Sequence, residues 1–395
     1  MSAMPFSRIL LAGTFLIGFA GSALALDGND FAKTLTAAYA GSGSKLQYSG
    51  VDANGETVVM HNAVVVAPGD EKFTLGDVTF SGVEESDGGG YTAESATVPD
   101  IVSKHHRGDL SIKNIKVNGI DIPPMKPSEG TAQSIIYQSA SAGPVTLSDK
   151  EGEVFSATSL TSKIDRMDND AGYKADVQAN GLTFHLDRVR NPKTKAAVEA
   201  MGYQTVTGKF DMTGSWKADH GEVQVADCTL DLDNVGKLDL RLDLSGYTPD
   251  FIKSLRQLQA QALSKPGDKG AQQALGIGML GLLQQLSFGG LSLRFDDASL
   301  THKALTYAGQ QQGVSADQMA QVAKAMLPIG LAKLKNPQFQ QEISDAVGKF
   351  LDNPKNLEIN AAPDKPVAFP MIMGSAMAAP QSLPNVLNVK VTANQ

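Results

Sequence analysis

Between Lys45 and Tyr247 apolar and polar positions alternate with period two, interrupted every few residues by Gly, Asn, Asp or Ser. That pattern predicts short antiparallel strands joined by tight turns. It is cleanest in Leu238-Asp239-Leu240-Arg241-Leu242-Asp243-Leu244, where four leucines fall on one face and three charges on the other. Such a strand has one dry side and one wet side. Thr57–Met60, Ala63–Val66, Phe73–Leu75, Val78–Phe80, Ser111–Val117, Tyr173–Val177 and Leu182–Leu186 read the same way. A short helix precedes them, because Phe31, Leu35, Ala38 and Tyr39 share one face before the Gly41-Ser42-Gly43-Ser44 stop.

A recurrence marks the strand region: Ser49-Gly50-Val51, Ser81-Gly82-Val83, Asn118-Gly119-Ile120, Asn180-Gly181-Leu182 and Ser245-Gly246-Tyr247. Its spacing is too irregular for a solenoid. Its physical sense is a glycine at positive φ, or a bulge, where a strand turns or bends. The loop Pro123-Pro124-Met125-Lys126-Pro127 offers a place to separate two halves of the sheet.

At Thr248 the period changes. Thr248-Pro249-Asp250 supplies a capping hydroxyl, a proline at the first helical position and an acid in the first turn, and Ile252, Leu255, Leu258 and Ala262 follow at helical spacing. Lys265–Asp268 breaks this helix, and another from Ala271 to Leu286 contains Leu275-Gly276-Ile277-Gly278-Met279-Leu280-Gly281-Leu282-Leu283. Its glycines lower helix propensity but permit close approach. Leu291–Phe295 reads as a strand. Three further helices are predicted from about Leu300, from Ala316 behind the Ser315–Gln318 capping box, and from Pro337, with Pro328 kinking or shortening the middle one. Strands return at Leu357–Ile359 and Val389–Val391, on either side of a Met-rich piece from Phe369 to Met377. The predicted class is α+β: an antiparallel β-rich region over 26–247 forming a curved sheet or groove, a helical region over 248–355, and C-terminal strands over 356–395 packing back on the sheet.

The N-terminus changes the picture. Arg8 precedes an apolar run from Ile9 to Ala20, and Ser22-Ala23-Leu24-Ala25 has the small-x-small form of a cleavage site, so residues 1–25 read as a signal peptide of a periplasmic protein. The competing reading is an uncleaved inner-membrane anchor through residues 9–26. Lipidation at that point needs a cysteine, and the only one is Cys228. Thirty-four bases against 42 acids give a net charge of −8, without a basic block, which excludes nucleic acid as the expected partner. With 42% hydrophobic residues the chain can build a core. An outer-membrane barrel is excluded by aromatic residues of only 6% and by the long helical interruption.

Catalytic chemistry is sparse. The histidines His61, His105, His106, His185, His220 and His302 have no metal-ligand spacing. Asp165, Asp168 and Asp170, and separately Asp231, Asp233 and Asn234, depart from a calcium loop, since Gly172 and Val235 stand where a third oxygen ligand belongs. Ser42-Gly43-Ser44-Lys45 fits S-x-x-K but lacks the helix start and companion motifs of such a nucleophile. Cys228 reads as a buried inert thiol and Trp216 as a strand anchor. No enzyme, cofactor or metal is expected.

The leader, the long β-region with Ser-Gly and Asn-Gly turns, and Leu293-Arg294-Phe295-Asp296-Asp297-Ala298-Ser299-Leu300 running into a helical pair and a final strand resemble the AsmA-like and YdgA-like bacterial envelope proteins. That resemblance implies an elongated β-groove that moves or organises lipid, without assigning any residue. It departs from the group in the cleavable leader and in its modest length. Two readings of the dry sheet face stay open: the helices cover it as an ordinary core, or part of it remains a trough for an apolar ligand, a lipid foremost. On the second, Leu240 and Leu242 on the sheet and Leu280, Leu282 and Leu283 on a loosely packed flap are the candidate ligand contacts, with peripheral membrane contact in reach. An envelope adaptor docking a protein partner through its helical region is the alternative.

Overall fold

The computed structural model describes residues 26–40, 44–66, 72–86, 88–105, 108–125, 135–168, 171–263 and 269–395. The leader over 1–25, Ser42 and Gly43 of the S-x-x-K match, His106 and Asp170 lie outside them. The chain begins with helix α1 (Gly28–Ala40), then strands β1 (Lys45–Gln47), β2 (Gly50–Asn54), β3 (Thr57–Val66), β4 (Lys72–Ser86), β5 (Gly90–Val98), β6 (Ile101–His105), β7 (Gly108–Ile112) and β8 (Ile115–Ile122). It continues through β9 (Ile136–Ala142), β10 (Val145–Asp149), β11 (Gly152–Ala157), β12 (Ser159–Arg166), β13 (Gly172–His185), α2 (Pro192–Met201), β14 (Thr205–Lys217), β15 (Glu222–Leu232) and β16 (Gly236–Ser245). Helices α3 (Pro249–Leu263) and α4 (Lys269–Leu283) lead to β17 (Ser287–Asp297), followed by α5 (Leu300–Gln312), α6 (Ala316–Leu331) and α7 (Pro337–Asp352). The last elements are β18 (Asn356–Ala361), β19 (Val367–Ala368), α8 (Phe369–Ala378), α9 (Leu383–Val386) and β20 (Val389–Ala393).

The fold is α+β, and all its described strands join one antiparallel sheet. Its spine runs β3, β4, β5, β8, β9, β12, β13, β14, β15, β16, β17, β18, β20. The short β6, β7, β10 and β11 extend it beyond the kinks, with β11 reaching β13 at Phe155 and Phe184. No ladder joins β20 to β1, β2 or β3 among the described residues, so the sheet is open. Lys126 and Pro127 of the Pro123–Pro127 segment lie outside the described residues; β8 and β9 on either side of it pair directly, so the sheet is not divided there. Returning strands β18 and β20 continue the sheet edge to edge.

Helix starts follow the local chemistry. Thr248 Oγ1 accepts from the Phe251 amide at 3.2 Å, the Ser315–Gln318 capping box is formed, and Asn336 Oδ1 accepts from the Phe339 amide at 3.1 Å. Pro328 does not end α6, which runs on to Leu331. A proline one turn from a helix end removes a single helical hydrogen bond, the one to the Lys324 carbonyl. The Met-rich piece forms α8.

Helices cover the sheet at its ends. At one end α1 inserts Phe31, Ala32 and Leu35 over Val58, Met60, Val78, Phe80, Ala93 and Ile120. Phe31 sits edge-on to Phe80 and Tyr91, at centroid distances of 5.0 and 5.3 Å, and Tyr91 donates its hydroxyl to Asp30 at 2.8 Å. At the other end α7 places Phe339, Ile343, Ala346 and Phe350 on Phe295, Leu357, Val391 and Ala393. Of the two readings of the sheet face, cover by the helical region is seen at this edge and, through Leu300 of α5, beside Val206 and Leu232.

Candidate apolar binding face

Register makes the sheet one-sided across its width. One row of paired residues reads Val58, Phe80, Ala96, Val117, Ala140, Ser162, Val177, Met212, Cys228, Leu240, Leu293, Ile359, Val391, with a single polar member. A row on the opposite face reads Thr79, Thr97, Lys116, Ser141, Thr161, Gln178, Asp211, Thr229, Asp239, Arg294, Glu358, Thr392, all polar. Further apolar rows flank the first: Ala142, Leu160, Ala179, Phe210, Leu230, Leu238, Phe295, Leu357, Ala393 on one side, and Ile164, Ala175, Gly214, Val225, Leu242, Leu291, Ala361, Val389 on the other. Cross-strand alternation alone therefore produces a continuous apolar surface.

Among the described residues no helix packs on its middle. None of the five buried clusters among the described residues brings a helix side chain onto Val177, Met212, Cys228, Leu240 or Leu293. Leu160, Leu238 and Ile359 are 36, 41 and 39% exposed, whereas Leu240, Leu242, Leu291 and Leu293 are half-buried. Short strands cover part of the neighbouring row, since Val145 and Ala157 share a buried cluster with Leu110, Ile112, Phe210 and Leu230, and the ladders shift register at Ala179/Leu182, Thr213/Gly214, Val225/Cys228 and Asp243/Leu244.

Three of the recurrent glycines bend it from within. Gly82, Gly119 and Gly181 stand mid-strand at φ of +61, +61 and +60°. Glu94, Gln138 and Thr158 fill the space where a Cβ would project. At each, inward side chains recur three residues apart rather than two: Phe80 with Val83, Val117 with Ile120, Ala179 with Leu182. A left-handed residue there re-phases the strand so that both halves face the same way. Gly246 also has positive φ, at +91°, while Gly50 does not. A trough of about 1270 Å³ follows the bend, lined by Ala93, Ile120, Tyr137, Ala140, Ile164 and Tyr173, with Asp121, Lys163 and Arg166 among its polar groups. Arg166 binds Asp121 at 2.9 Å.

Polar candidates take structural roles. Trp216 stacks on Tyr173, planes 5° apart, and its Nε1 donates to the Tyr247 carbonyl at 2.8 Å. Burial, then the neighbouring Asp227, pushes the Cys228 thiol above its ordinary pKa, which disfavours the nucleophilic thiolate. Asp165 pairs with Lys163 at 2.7 Å and Asp233 accepts from Thr207 at 2.6 Å. Among the described residues no group of three or more His, Cys, Asp or Glu could hold a metal ion.

His61 bridges two carboxylates. Its Nε2 meets Asp52 at 3.0 Å and its Nδ1 meets Asp77 at 3.1 Å, clamping β2, β3 and β4. Hydrogen bonds to Asp52, then Asp77, raise its pKa above the ordinary 6.5. A raised folded-state pKa means that this stabilisation is complete below about 6.5 and is lost as pH rises through the folded value. The melting temperature is expected to fall across that window in the native chain, and His61→Gln should flatten that part of the pH profile. An unchanged profile would show that the clamp contributes nothing.

The five leucines singled out by sequence do not form one site. Leu240 and Leu242 lie on the apolar face, but Leu282 packs with Phe251, Tyr247, Leu258 and Phe369 between α3 and α4, with Leu283 beside it, and Leu280 is 52% exposed. Gly278 lets α4 close on Leu258, which stands 2.5 Å from the position of an added Cβ. In this arrangement α4 is a partner of α3 rather than a flap on Leu240. Met212, Val225, Leu293 and Ile359 share the apolar face with Leu240 and Leu242 and are not among the candidates from sequence. Their alternation is visible in sequence, but which strands adjoin them is not.

Residues 229–394, from β15 into the end of β20, match the model of a family described as an uncharacterized protein. No curated protein matches the chain.

Proposed function

We propose that this protein binds a long apolar ligand, a lipid acyl chain foremost, along the middle of the apolar face at Val177, Met212, Leu240 and Leu293, and that it works in the bacterial cell envelope without catalysing a reaction. The carrying observation is the continuous apolar face whose middle no described helix covers, with Leu160, Leu238 and Ile359 each more than a third exposed. Exposed apolar continuity of that extent marks a binding surface. A ladder spacing of about 4.8 Å makes the five strand intervals from β12 to β17 about 24 Å wide, enough for an extended acyl chain. The Arg8–Ala25 leader pattern and the resemblance to AsmA-like proteins support the periplasm as its compartment. Native mass spectrometry of protein released gently from membranes should show a lipid-sized adduct that exchanges with added fatty acid. A bare mass that takes up no added lipid would overturn the proposal.

One observation favours the adaptor reading: Val322, Met326 and Ile329, spaced along one face of α6, are 44, 56 and 68% exposed. A crosslink to one stoichiometric partner within residues 248–351, lost in Met326→Asp, would support it.

A further inference from the structure

Seven charged side chains line one cleft of about 660 Å³ between the β10–β11 turn and the start of α2: Lys150, Arg188, Arg190 and Lys195 against Asp149, Glu151 and Asp187. None of the seven forms an ion pair with a described residue. Elsewhere pairing is the habit of this sheet, since Lys163, Arg166, Lys217, Lys237 and Arg294 each hold a carboxylate at 3.1 Å or less. Two half-buried residues of the cleft are unsatisfied as well: Asp187 Oδ1 and Arg188 Nε are buried and have no hydrogen-bond partner among the described residues. A buried acceptor and a buried donor left open both count against the fold. The Arg188 guanidinium rests on the opposite wall, 3.3 Å from where a Cβ on Gly152 would stand.

The local chemistry selects the ligand. Asp149 is committed to its own turn, accepting from the Glu151 amide at 2.8 Å, and Asn191 Oδ1 takes the Lys193 and Thr194 amides at 3.0 and 3.2 Å. Side chains, not the end of α2, must therefore hold what enters. Orphans of opposite sense on consecutive residues call for a ligand that carries both an acceptor and a donor. Four bases around one cleft suit a tetrahedral phosphate, whose oxygens accept from several directions, better than a planar carboxylate. Glu151 and Asp187 suit an ammonium group beside it. Just outside the lining the charges are mixed too, with Lys193 and Glu199 on α2 and Glu153 meeting His185 at 3.6 Å. A ligand of mixed charge matches this balance better than a bare anion.

We infer that this cleft binds a phosphoethanolamine group, its phosphate on Lys150, Arg188, Arg190 and Lys195 and its ammonium on Glu151 and Asp187. The site goes beyond the proposed acyl-chain face and does not depend on it. Strand β13 joins the two, because Leu182 and Phe184 lie between Ala179 and the cleft and pack with Phe210 and Leu230 of the flanking apolar row. Two sources supply such a group, a lipid headgroup and a soluble ester.

Calorimetric titration of the full chain at low salt tests it, with glycerophosphoethanolamine and glycerophosphate as probes. The native protein is expected to bind glycerophosphoethanolamine. Arg190→Gln combined with Lys195→Gln, at two exposed positions, should weaken that binding by about tenfold or more and leave the melting temperature unchanged. Asp187→Asn should weaken glycerophosphoethanolamine but spare glycerophosphate, a difference that a folding defect would not produce. Lys333→Gln on the α6–α7 connection should change nothing. A native protein that binds neither probe would overturn the inference, as would binding that the Arg190→Gln, Lys195→Gln variant retains. Glycerophosphate bound as tightly as glycerophosphoethanolamine, with Asp187→Asn affecting neither, would also overturn it in favour of a bare anion site. Lysophosphatidylethanolamine bound more than about tenfold tighter than glycerophosphoethanolamine would identify the source as a lipid, and equal affinity would identify a soluble ester. Failure of the acyl-chain face reads out separately, as a protein that binds glycerophosphoethanolamine but takes up no fatty acid.

Discussion

Truncating Phe31 to alanine is expected to cost about 3–5 kcal/mol of folding stability. The side chain is fully buried, and it is the point at which α1 meets the sheet: its ring contacts Phe80 from β4 and Tyr91 from β5, and Val58, Met60 and Ile122 close around the same cluster with almost no exposure. Removing a phenyl group there loses its transfer free energy and leaves a cavity between a helix and a sheet, two layers that cannot easily collapse together. Urea unfolding followed by tryptophan fluorescence would miss part of the effect, since Trp216 lies on distant β14. Far-ultraviolet circular dichroism with hydrogen exchange resolved to α1 and β3–β5 is the suitable measurement. A loss under about 1 kcal/mol would mean that α1 is not lodged in the sheet in solution. Intermediate behaviour is informative as well: exchange that rises in α1 and β3–β5 before the rest would show that this end opens as its own cooperative unit.

Much of this architecture is legible in the chain because strand alternation is a local property. Leu238–Leu244 declares one wet and one dry side without reference to any neighbour, and the structure seats those four leucines in the apolar rows. Helix starts are equally local, as Thr248, Ser315 and Asn336 show by capping in place. What local pattern does not carry is adjacency. Nothing near Leu293 announces that Ile359 will lie beside it, because the three helices α5, α6 and α7 intervene. The glycine recurrence was readable as a set of bends, yet its consequence, an inward side chain three residues on instead of two, appears only when Gly181 is seen at positive φ against Thr158. Helix α4 misleads for the opposite reason. Its apolar run suggests a surface meant for the sheet, but an αα-hairpin satisfies Leu282 first, through Phe251 and Leu258, and leaves Ile277 and Leu280 to solvent.

Two carboxylates set into the apolar rows, Leu238→Asp with Ile359→Asp, should lower lipid affinity by about a hundredfold or more while the chain stays folded. The positions flank the Leu240–Leu293 pair, Leu238 on the same strand as Leu240 and Ile359 directly across from Leu293. Both are already more than a third exposed, so a carboxylate there keeps water in the unliganded protein and costs little stability. A bound acyl chain would remove that water from both. Desolvating charged groups against hydrocarbon costs several kcal/mol, and about 3 kcal/mol in total already corresponds to the stated hundredfold. Methionine at the same two positions restores apolar area without charge and should restore binding. The melting temperature decides between the two fates of this sheet face. If in solution the chain's own helices close over it as a core, the carboxylates become buried and unpaired, and the melting temperature should collapse together with binding. If the face is open and filled by ligand, binding alone is lost.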